Sequence, residues 1–350
     1  MDTTTLRPLV TATGPFTSVY FEDSHDTEDA EKQLELKWRE LKESLTAQHA
    51  PDGAVDALQA AIMDGPRATG RSGRALLAAG SEVLVDRHLA DPPAATVARV
   101  SDLPYLLPLA RYGELAMRHV VADVDQVGGA LRAIDERGNE MAADEVTGQA
   151  HPVHHSRGGG EAHHRMQHRT EEIKQQNATE LAETIALLAE RAGAELIVIA
   201  GEVQGRKAVI DALPEHARSI AREATHPDVS EDLAEAVRHG LLSELIERFH
   251  GALNQPQGLA VRGLAAVAAA LREGNVEILL VGEPGEDVVC TGSTPAQIAL
   301  GEEELKAYGA SEIHRQRADE AVPAAAVAVN ADLVHVSEGF EGFGAILRHG

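Results

Sequence analysis

Apolar side chains recur at helical spacing at Ala30, Leu34, Trp38, Leu41 and Leu45, which predicts a helix over about 28–49 with one buried face. Asp26 and Thr27 offer its N-cap. Trp38 is the only tryptophan and is expected in the core. Ahead of this helix, the β-branched and aromatic run from Gly14 to Phe21 predicts a strand. Behind it, short strands near Ala75–Ala79 and Val83–Val85 flank Gly80-Ser81, a pair suited to a tight hairpin. Pro92, Pro93, Pro104 and Pro108 then mark the exit from a first domain.

A second pattern starts near Met117. Val120, Val121 and Val124, and then Ala130–Ile134, predict two strands around a turn at Gly128-Gly129. A polar, Gly- and His-rich loop is expected over about 136–161, then a long helix over 162–192. Ala178, Leu181, Ala182, Ile185, Leu188 and Ala189 form the apolar stripe of that helix. Leu196–Ile199 is a short apolar β run ended by Gly201, and a helix follows through Ala208–Leu213. This βα unit implies a partly parallel sheet. Helices near 229–238 and 240–253 are expected, broken at Gly240.

After Pro256 and Gly258 a third unit begins. Leu264, Val267, Ala268 and Leu271 make a helical stripe, with Gly274 as a C-terminal stop. Val276–Val281 reads as a buried strand, 302–308 as a helix, and 325–329 and 333–336 as strands. The expected fold class is α/β (α+β), in three domains: 1–114, 115–255 and 256–350. A chain of 350 residues agrees, because a single core rarely grows past roughly 250–300 residues.

Composition narrows the function classes. Apolar residues make up 43%, enough for packed cores, while aromatics are only 3%, so the cores must be built of Ala, Val, Leu and Ile. No apolar run is long enough for a membrane span, and the first 20 residues lack the pattern of a secretory leader. The lone Cys290 has no partner for an internal disulfide and is expected to pack in a strand, which fits a reducing cytoplasm. The net charge of −25 argues against coating nucleic acid or an anionic membrane with the whole surface. It leaves room for a local basic patch.

One stretch departs from that background. Residues 151–169 hold six of the 17 histidines, and Arg157, Arg165 and Arg169 face a single acid, Glu161. The formal charge there is +2, which marks where an anionic partner would go. Guanidinium forks suit phosphate, and histidine adds stacking surface. Gly158-Gly159-Gly160 lets the backbone approach a ligand without a Cβ in the way, just before a helix whose first N–H groups favour an anion. The residue types leave four readings open: a solvated loop, a metal site, a phosphate-binding P-loop and an RNA-binding loop. His164 and His168, one helical turn apart, could share a metal, but Arg165 stands where a zincin motif has Glu. No Lys-Ser or Lys-Thr follows the glycines, as a P-loop requires.

The run from Ser156 to Glu172, SRGGGEAHHRMQHRTEE, resembles the central motif of the archaeal and eukaryotic class-one release factors and their Pelota relatives. Arg165, Arg169, Glu171 and Glu172 fall where that motif has its Arg and Glu-Glu positions. Residues 263–281 and 343–348 resemble the start and the closing strand of the third domain in those factors. The opening GPFTSVYFEDSHD, residues 14–26, and Gly201-Glu202-Val203 resemble the actinobacterial, Balon-like members of a bacterial branch. The resemblance implies an N-terminal α/β domain, a ribonuclease-H-like central domain and a C-terminal domain like the kink-turn-binding proteins.

For function, the resemblance implies a ribosome hibernation or protection factor in the vacant aminoacyl-tRNA site of the 70S ribosome. Such factors touch the rRNA of the decoding and peptidyl-transferase centres, and some associate with elongation factor Tu. Candidate RNA-contacting residues are His154, His155, Arg157, Gly158, Gly159, Gly160, His163, His164, Arg165, His168 and Arg169. No cofactor or metal is implied, and no membrane. The chain departs from the release factors at one decisive place: their catalytic Gln is Gly160 here, which has no side chain to position a water at an ester. Nor is an Asn-Ile-Lys-Ser-like stop-codon reader present. Peptide release is therefore not expected. Two alternatives stay open: a peptidyl-tRNA hydrolase or rescue factor using His163 or His164 as base, and a stress-related protein-binding scaffold.

Overall fold

The computed structural model describes all residues except 1–2, 25–28, 67–71, 90–91, 113–116, 136–139, 149–160, 256–257 and 338; within helices and strands, the side chains of 161–168, Thr170 and a few others are also outside it. The chain is mixed α/β with several sheets. It divides into two compact units, residues 1–114 with 244–350, and residues 115–243.

The first part of the discontinuous unit runs α1 (Arg7–Thr11), β1 (Phe16–Glu22), α2 (Ala30–Ala47), α3 (Asp52–Asp64), β2 (Gly73–Ala79), β3 (Glu82–Leu89), β4 (Val97–Ser101) and α4 (Leu107–Tyr112). The strands pair antiparallel in the order β3-β2-β1-β4. All five positions of the α2 stripe are buried, Trp38 among them. They pack with Leu58 and Ile62 of α3 against Val19, Phe21 and Leu76 of the sheet. The hairpin turns at Gly80 with a φ of 61°, a left-handed conformation that glycine adopts without penalty. The stripe Ala54, Val55, Leu58, Ile62 makes α3 a helix where sequence patterning placed no element. Asp26 and Thr27 lie outside the described residues.

The middle segment runs β5 (His119–Val124), β6 (Gly128–Ile134), β7 (Glu140–Thr147), α5 (Glu161–Ala192), β8 (Leu196–Gly201), α6 (Val203–Ala212), α7 (Glu215–Ser219), β9 (Ala221–Glu223) and α8 (Ser230–Leu253). One sheet, β7-β6-β5-β8-β9, is antiparallel on the β7 side and parallel from β5 through β8 to β9. This is the partly parallel sheet expected from the βα unit. Helices α5 and α6 cover one face through Leu181, Ile185 and Val209. Met117, Leu196, Val198 and Ala234 pack on the other.

Three expectations fail in this segment. Residues 140–147 form a strand rather than a loop. Apart from half-buried Val146, which packs against the core, the β7 side chains are exposed; its backbone ladder with β6 does most to hold it, and no apolar alternation announces it. Gly128-Gly129 lies inside β6, not in the turn. The turn is at Asp125, whose Oδ1 accepts the N–H groups of Val127 (2.6 Å) and Gly128 (2.8 Å). A Cβ on Gly128 would stand 1.9 Å from the Val146 carbonyl oxygen, so glycine is needed there for strand approach. Third, α8 runs unbroken through Gly240 and crosses from one unit to the other.

The last segment runs β10 (Ala260–Arg262), α9 (Leu264–Arg272), β11 (Val276–Val281), β12 (Val288–Thr291), β13 (Ile298–Ala299), α10 (Glu302–Ala307), β14 (His314–Arg317), α11 (Ala318–Ala328), β15 (Asp332–His335) and β16 (Phe343–Leu347). Its sheets are β10-β16-β11-β15 and β13-β12-β14. Residues 325–328 end helix α11 rather than form a strand. The alternation of Ala and Val imitates a strand, but Ala318–Val327 are all buried, and an all-round apolar helix suits a core centre. Leu6, Leu9, Phe16 and Tyr20 share one core with Val267, Leu271, Val322 and Leu333, and the Thr3 hydroxyl donates to the Ala331 carbonyl at 2.8 Å. Cys290 is buried in β12, as expected. Among the described residues, no helix is long and apolar enough to cross a membrane.

Candidate nucleic-acid interface

Helix α5 has 32 residues and so extends about 48 Å at 1.5 Å per residue. Its two halves differ. From Asn177 onward, Ala178, Leu181, Ala182, Ile185, Ala189 and Ala192 are buried against the sheet and α6. Ahead of Asn177 no described side chain is buried: Arg169, Glu171, Glu172, Gln175 and Gln176 are exposed, and Ile173 and Lys174 are half-buried. The break follows from sequence, since the apolar 3–4 spacing begins only at Ala178. The described part of the helical half that carries the His-rich positions, Arg169 and Glu171–Gln176, has no buried stripe.

The helix brings positions 163, 164, 165, 168 and 169 onto its first three turns, with 165 and 169 one turn apart. Arg169 is exposed and, among the described residues, makes no ion pair. The side chains of His163, His164, Arg165 and His168 lie outside the described residues. So do His154, His155, Arg157, Gly158, Gly159 and Gly160 altogether. The glycine run ends immediately before Glu161, the first residue of α5. Free N–H groups at a helix start carry partial positive charge, so residues 161–164 add backbone donors to the arginine positions. Among the described residues, which leave out the His164 and His168 side chains, no three His, Cys, Asp or Glu stand close enough to hold a metal ion.

The strand end of the same segment is also built. Gly148 follows β7, and its N–H donates to the Val127 carbonyl at 2.9 Å. A Cβ there would stand 2.4 Å from Cγ and Oδ1 of buried Asn177. Beside this contact lies a cleft of ≈ 430 Å³, lined by Asp125, Gln126, Lys174, Asn177, Gln204 and Gly205. Gln126 Nε2 donates to Glu202 Oε1 at 2.5 Å, tying the β5–β6 turn to the start of α6. Gly201 has a φ of 100°, and a Cβ would meet the Val124 carbonyl oxygen at 2.1 Å, so glycine ends β8 by necessity. Arg206 donates to the Gly201 carbonyl and reaches Glu223 at 3.6 Å. Sequence reasoning missed Asn177 and Lys174, although a lone Asn heading an apolar stripe was a readable signal.

Residues 118–255, which contain this sheet, α5 and the glycine run, match the sequence profile of the bacterial archaeo-eukaryotic release factor family 2. Over 363 aligned positions the chain is 37% identical to Rv2629 of Mycobacterium tuberculosis H37Rv, covering 98% of this chain and 96% of that protein. MT2704 of strain CDC 1551 matches to the same extent. The chain belongs to the bacterial archaeo-eukaryotic release factors.

Solved structures similar to this release-factor relative include archaeal Pelota, ribosome-bound with ABCE1, at 13% identity and a TM-score of 0.41 over 98% of this chain and 92% of that one. The archaeal termination factor aRF1 is 15% identical, with a TM-score of 0.24 over 98% and 96%. Saccharomyces cerevisiae Dom34 is 10% identical, with a TM-score of 0.39 over 74% and 75%.

Proposed function

We propose that this family member is a cytoplasmic ribosome-binding protein that occupies the vacant aminoacyl-tRNA site of idle 70S particles and protects them without releasing peptide. The observation that carries the reading is the start of α5. A Gly-Gly-Gly run leads directly into a helix whose described residues ahead of Asn177 are exposed or half-buried, and residues 151–169 across that junction carry a formal charge of +2 against −25 for the whole chain. Family membership supports the ribosome as the partner. Gly160 supports binding without hydrolysis, because it replaces the glutamine of the release-factor motif with hydrogen. The helix start supplies positive backbone ends and guanidinium positions for rRNA phosphate. The rest of the chain, at −25 overall, limits the number of phosphate contacts. Few contacts give reversible occupancy, which a hibernation factor requires. Association with elongation factor Tu would deliver the chain to that site.

Co-sedimentation with vacant 70S ribosomes, followed by a peptide-release assay on ribosomes carrying peptidyl-tRNA, tests this. Binding without release is expected, along with reduced binding by an Arg165→Gln/Arg169→Gln double variant. Peptide release by the wild-type chain would assign it to the hydrolases instead. Failure to sediment with 70S particles, with and without elongation factor Tu, would remove the reading.

A further inference from the structure

Three arginines meet in the discontinuous unit, far along the chain from the glycine run. Arg99 sits on β4, an edge strand of the first sheet, and Arg315 and Arg317 on β14, an edge strand of the small sheet. They line a cleft of ≈ 670 Å³ together with Ser101, Asp102 and Gln316.

Charges on edge strands commonly do no more than prevent edge pairing. Such charges need no fixed geometry, and these have one. Arg317 makes a two-pronged pair with Asp319, at 2.9 and 3.0 Å. Arg99 Nη1 reaches Asp319 at 3.1 Å and Glu320 at 3.0 Å, and its guanidinium lies 3.6 Å from the centre of the Tyr105 ring. Tyr105 is in turn held by the Tyr20 hydroxyl, which donates to its carbonyl at 2.5 Å.

The countercharges lie underneath. The side chains of Asp319 and Glu320 are only 5% and 2% exposed, while those of Arg99 and Arg317 are 26% and 44% exposed. Burial pushes the Glu320 carboxyl above its ordinary value, and the hydrogen bond and charge of Arg99 oppose that shift. The rim carboxylate Asp102 accepts from Gln316 at 3.1 Å. Arg315 is exposed and, among the described residues, makes no ion pair. Formal charges in the cleft nearly cancel, yet Asp319 and Glu320 lie beneath the guanidiniums, and Asp102 is the acid exposed at the rim. The outer backbone edge of β4 is already satisfied, because the Gln48 amide donates to the Ala98 carbonyl at 2.8 Å and accepts from the Val100 N–H at 3.0 Å. Strand addition to β4 is thereby blocked, and recognition falls to side chains.

We propose that this cleft is a second RNA-backbone site, in which Arg315 pairs with a phosphate and the braced Arg317 and Arg99 supply further fixed donors. The choice of RNA rather than an acidic protein rests on the ribosome-binding reading above. Planar guanidinium forks match phosphate oxygens two at a time, and their immobilisation lowers the entropy lost on binding.

The test is fluorescence anisotropy of the full chain with a labelled 20-base-pair RNA duplex across a salt series, beside 70S co-sedimentation. Arg315→Gln is the variant, because Arg315 braces nothing; Arg315→Lys keeps the charge, and Arg165→Gln/Arg169→Gln is the remote control. The proposal expects Arg315→Gln to lose about three- to tenfold in duplex affinity and about one unit of the log K against log salt slope. Arg315→Lys should keep the slope. An Arg315→Gln duplex affinity and slope equal to wild type would overturn the proposal. So would a polyglutamate peptide bound in preference to the duplex with the same Arg315 dependence. If the chain binds 70S particles but Arg315→Gln leaves the duplex titration unchanged, this site fails and the ribosome reading stands. An Arg315-dependent duplex complex without 70S binding supports the site and sinks the ribosome reading.

Discussion

Gly148 lies directly beneath Asn177: a Cβ on Gly148 would stand 2.4 Å from both Cγ and Oδ1 of that buried amide, and equally close to the Val127 carbonyl oxygen. Gly148 is the last described residue after β7, and Asn177 heads the docked half of α5. The pair fixes the strand-side root of the segment that carries the glycine run. Gly148→Ala should cost about 1–3 kcal/mol in stability, since backbone oxygen cannot give way as a flexible side chain can. It should also weaken 70S binding more than the stability loss alone explains. Urea unfolding and co-sedimentation measure the two effects; unchanged values for both would show that the root tolerates a methyl group.

A buried ion pair governs the first sheet. Arg74 is fully buried, with Nε and Nη2 each 2.8 Å from the Asp86 carboxylate and Nη1 3.7 Å from buried Asp23. Its Nη2 also donates to the Ala61 carbonyl of α3 at 2.8 Å. Removing the cation leaves the buried Asp23 carboxylate without it, while Asp86 is partly open to solvent, so Arg74→Leu should cost about 3–5 kcal/mol at pH 7. Chemical denaturation checks this, and a cost under about 1 kcal/mol would mean the pair is hydrated.

The behaviour of Gly240 separates the structure from the sequence pattern. Gly240 is exposed inside α8, has no positive φ, and has open space where a Cβ would go. In a continuous helix Gly240→Ala should therefore stabilise by about 0.5–1 kcal/mol and raise the melting temperature. A drop in melting temperature would restore the helix break expected from sequence.

Much of the fold was legible because one face of each element is buried. The α2 stripe and the second half of α5 announced themselves by period, and the strands β8 and β11 by short apolar runs. Elements held by other means did not. Strand β7 owes its place mostly to backbone pairing, and its exposed side chains carry no pattern. Helix α11 is buried all round, so its Ala and Val residues show no helical period. Helix α3 carries a readable stripe, Ala54, Val55, Leu58 and Ile62, but it is short and two of its flanking positions, Pro51 and Gly53, are turn formers. For the interface, the sequence marked Arg165, Arg169 and the glycines by charge contrast. Arg99 and Arg315 are 216 positions apart, and only tertiary packing brings them to one cleft.

One titration should be visible in stability. Burial holds His335 below its ordinary value of 6.5; nearby Arg111 adds to this and Glu283 opposes it. As pH falls below that value the unfolded chain takes up its proton before the folded chain does. Stability is then lost from about 6.5 downward to the folded pKa, where the loss levels off. His335→Gln should flatten the fall of the urea midpoint between pH 7 and 5.5. Parallel curves for the two proteins would place the His335 ring in water.

The central claim is tested most directly by a cryo-electron microscopy map of the purified chain on vacant 70S ribosomes. The account predicts density in the aminoacyl-tRNA site, with the glycine run and the start of α5 against rRNA at the peptidyl-transferase centre. Density elsewhere on the particle, or the first turns of α5 facing solvent, would contradict it.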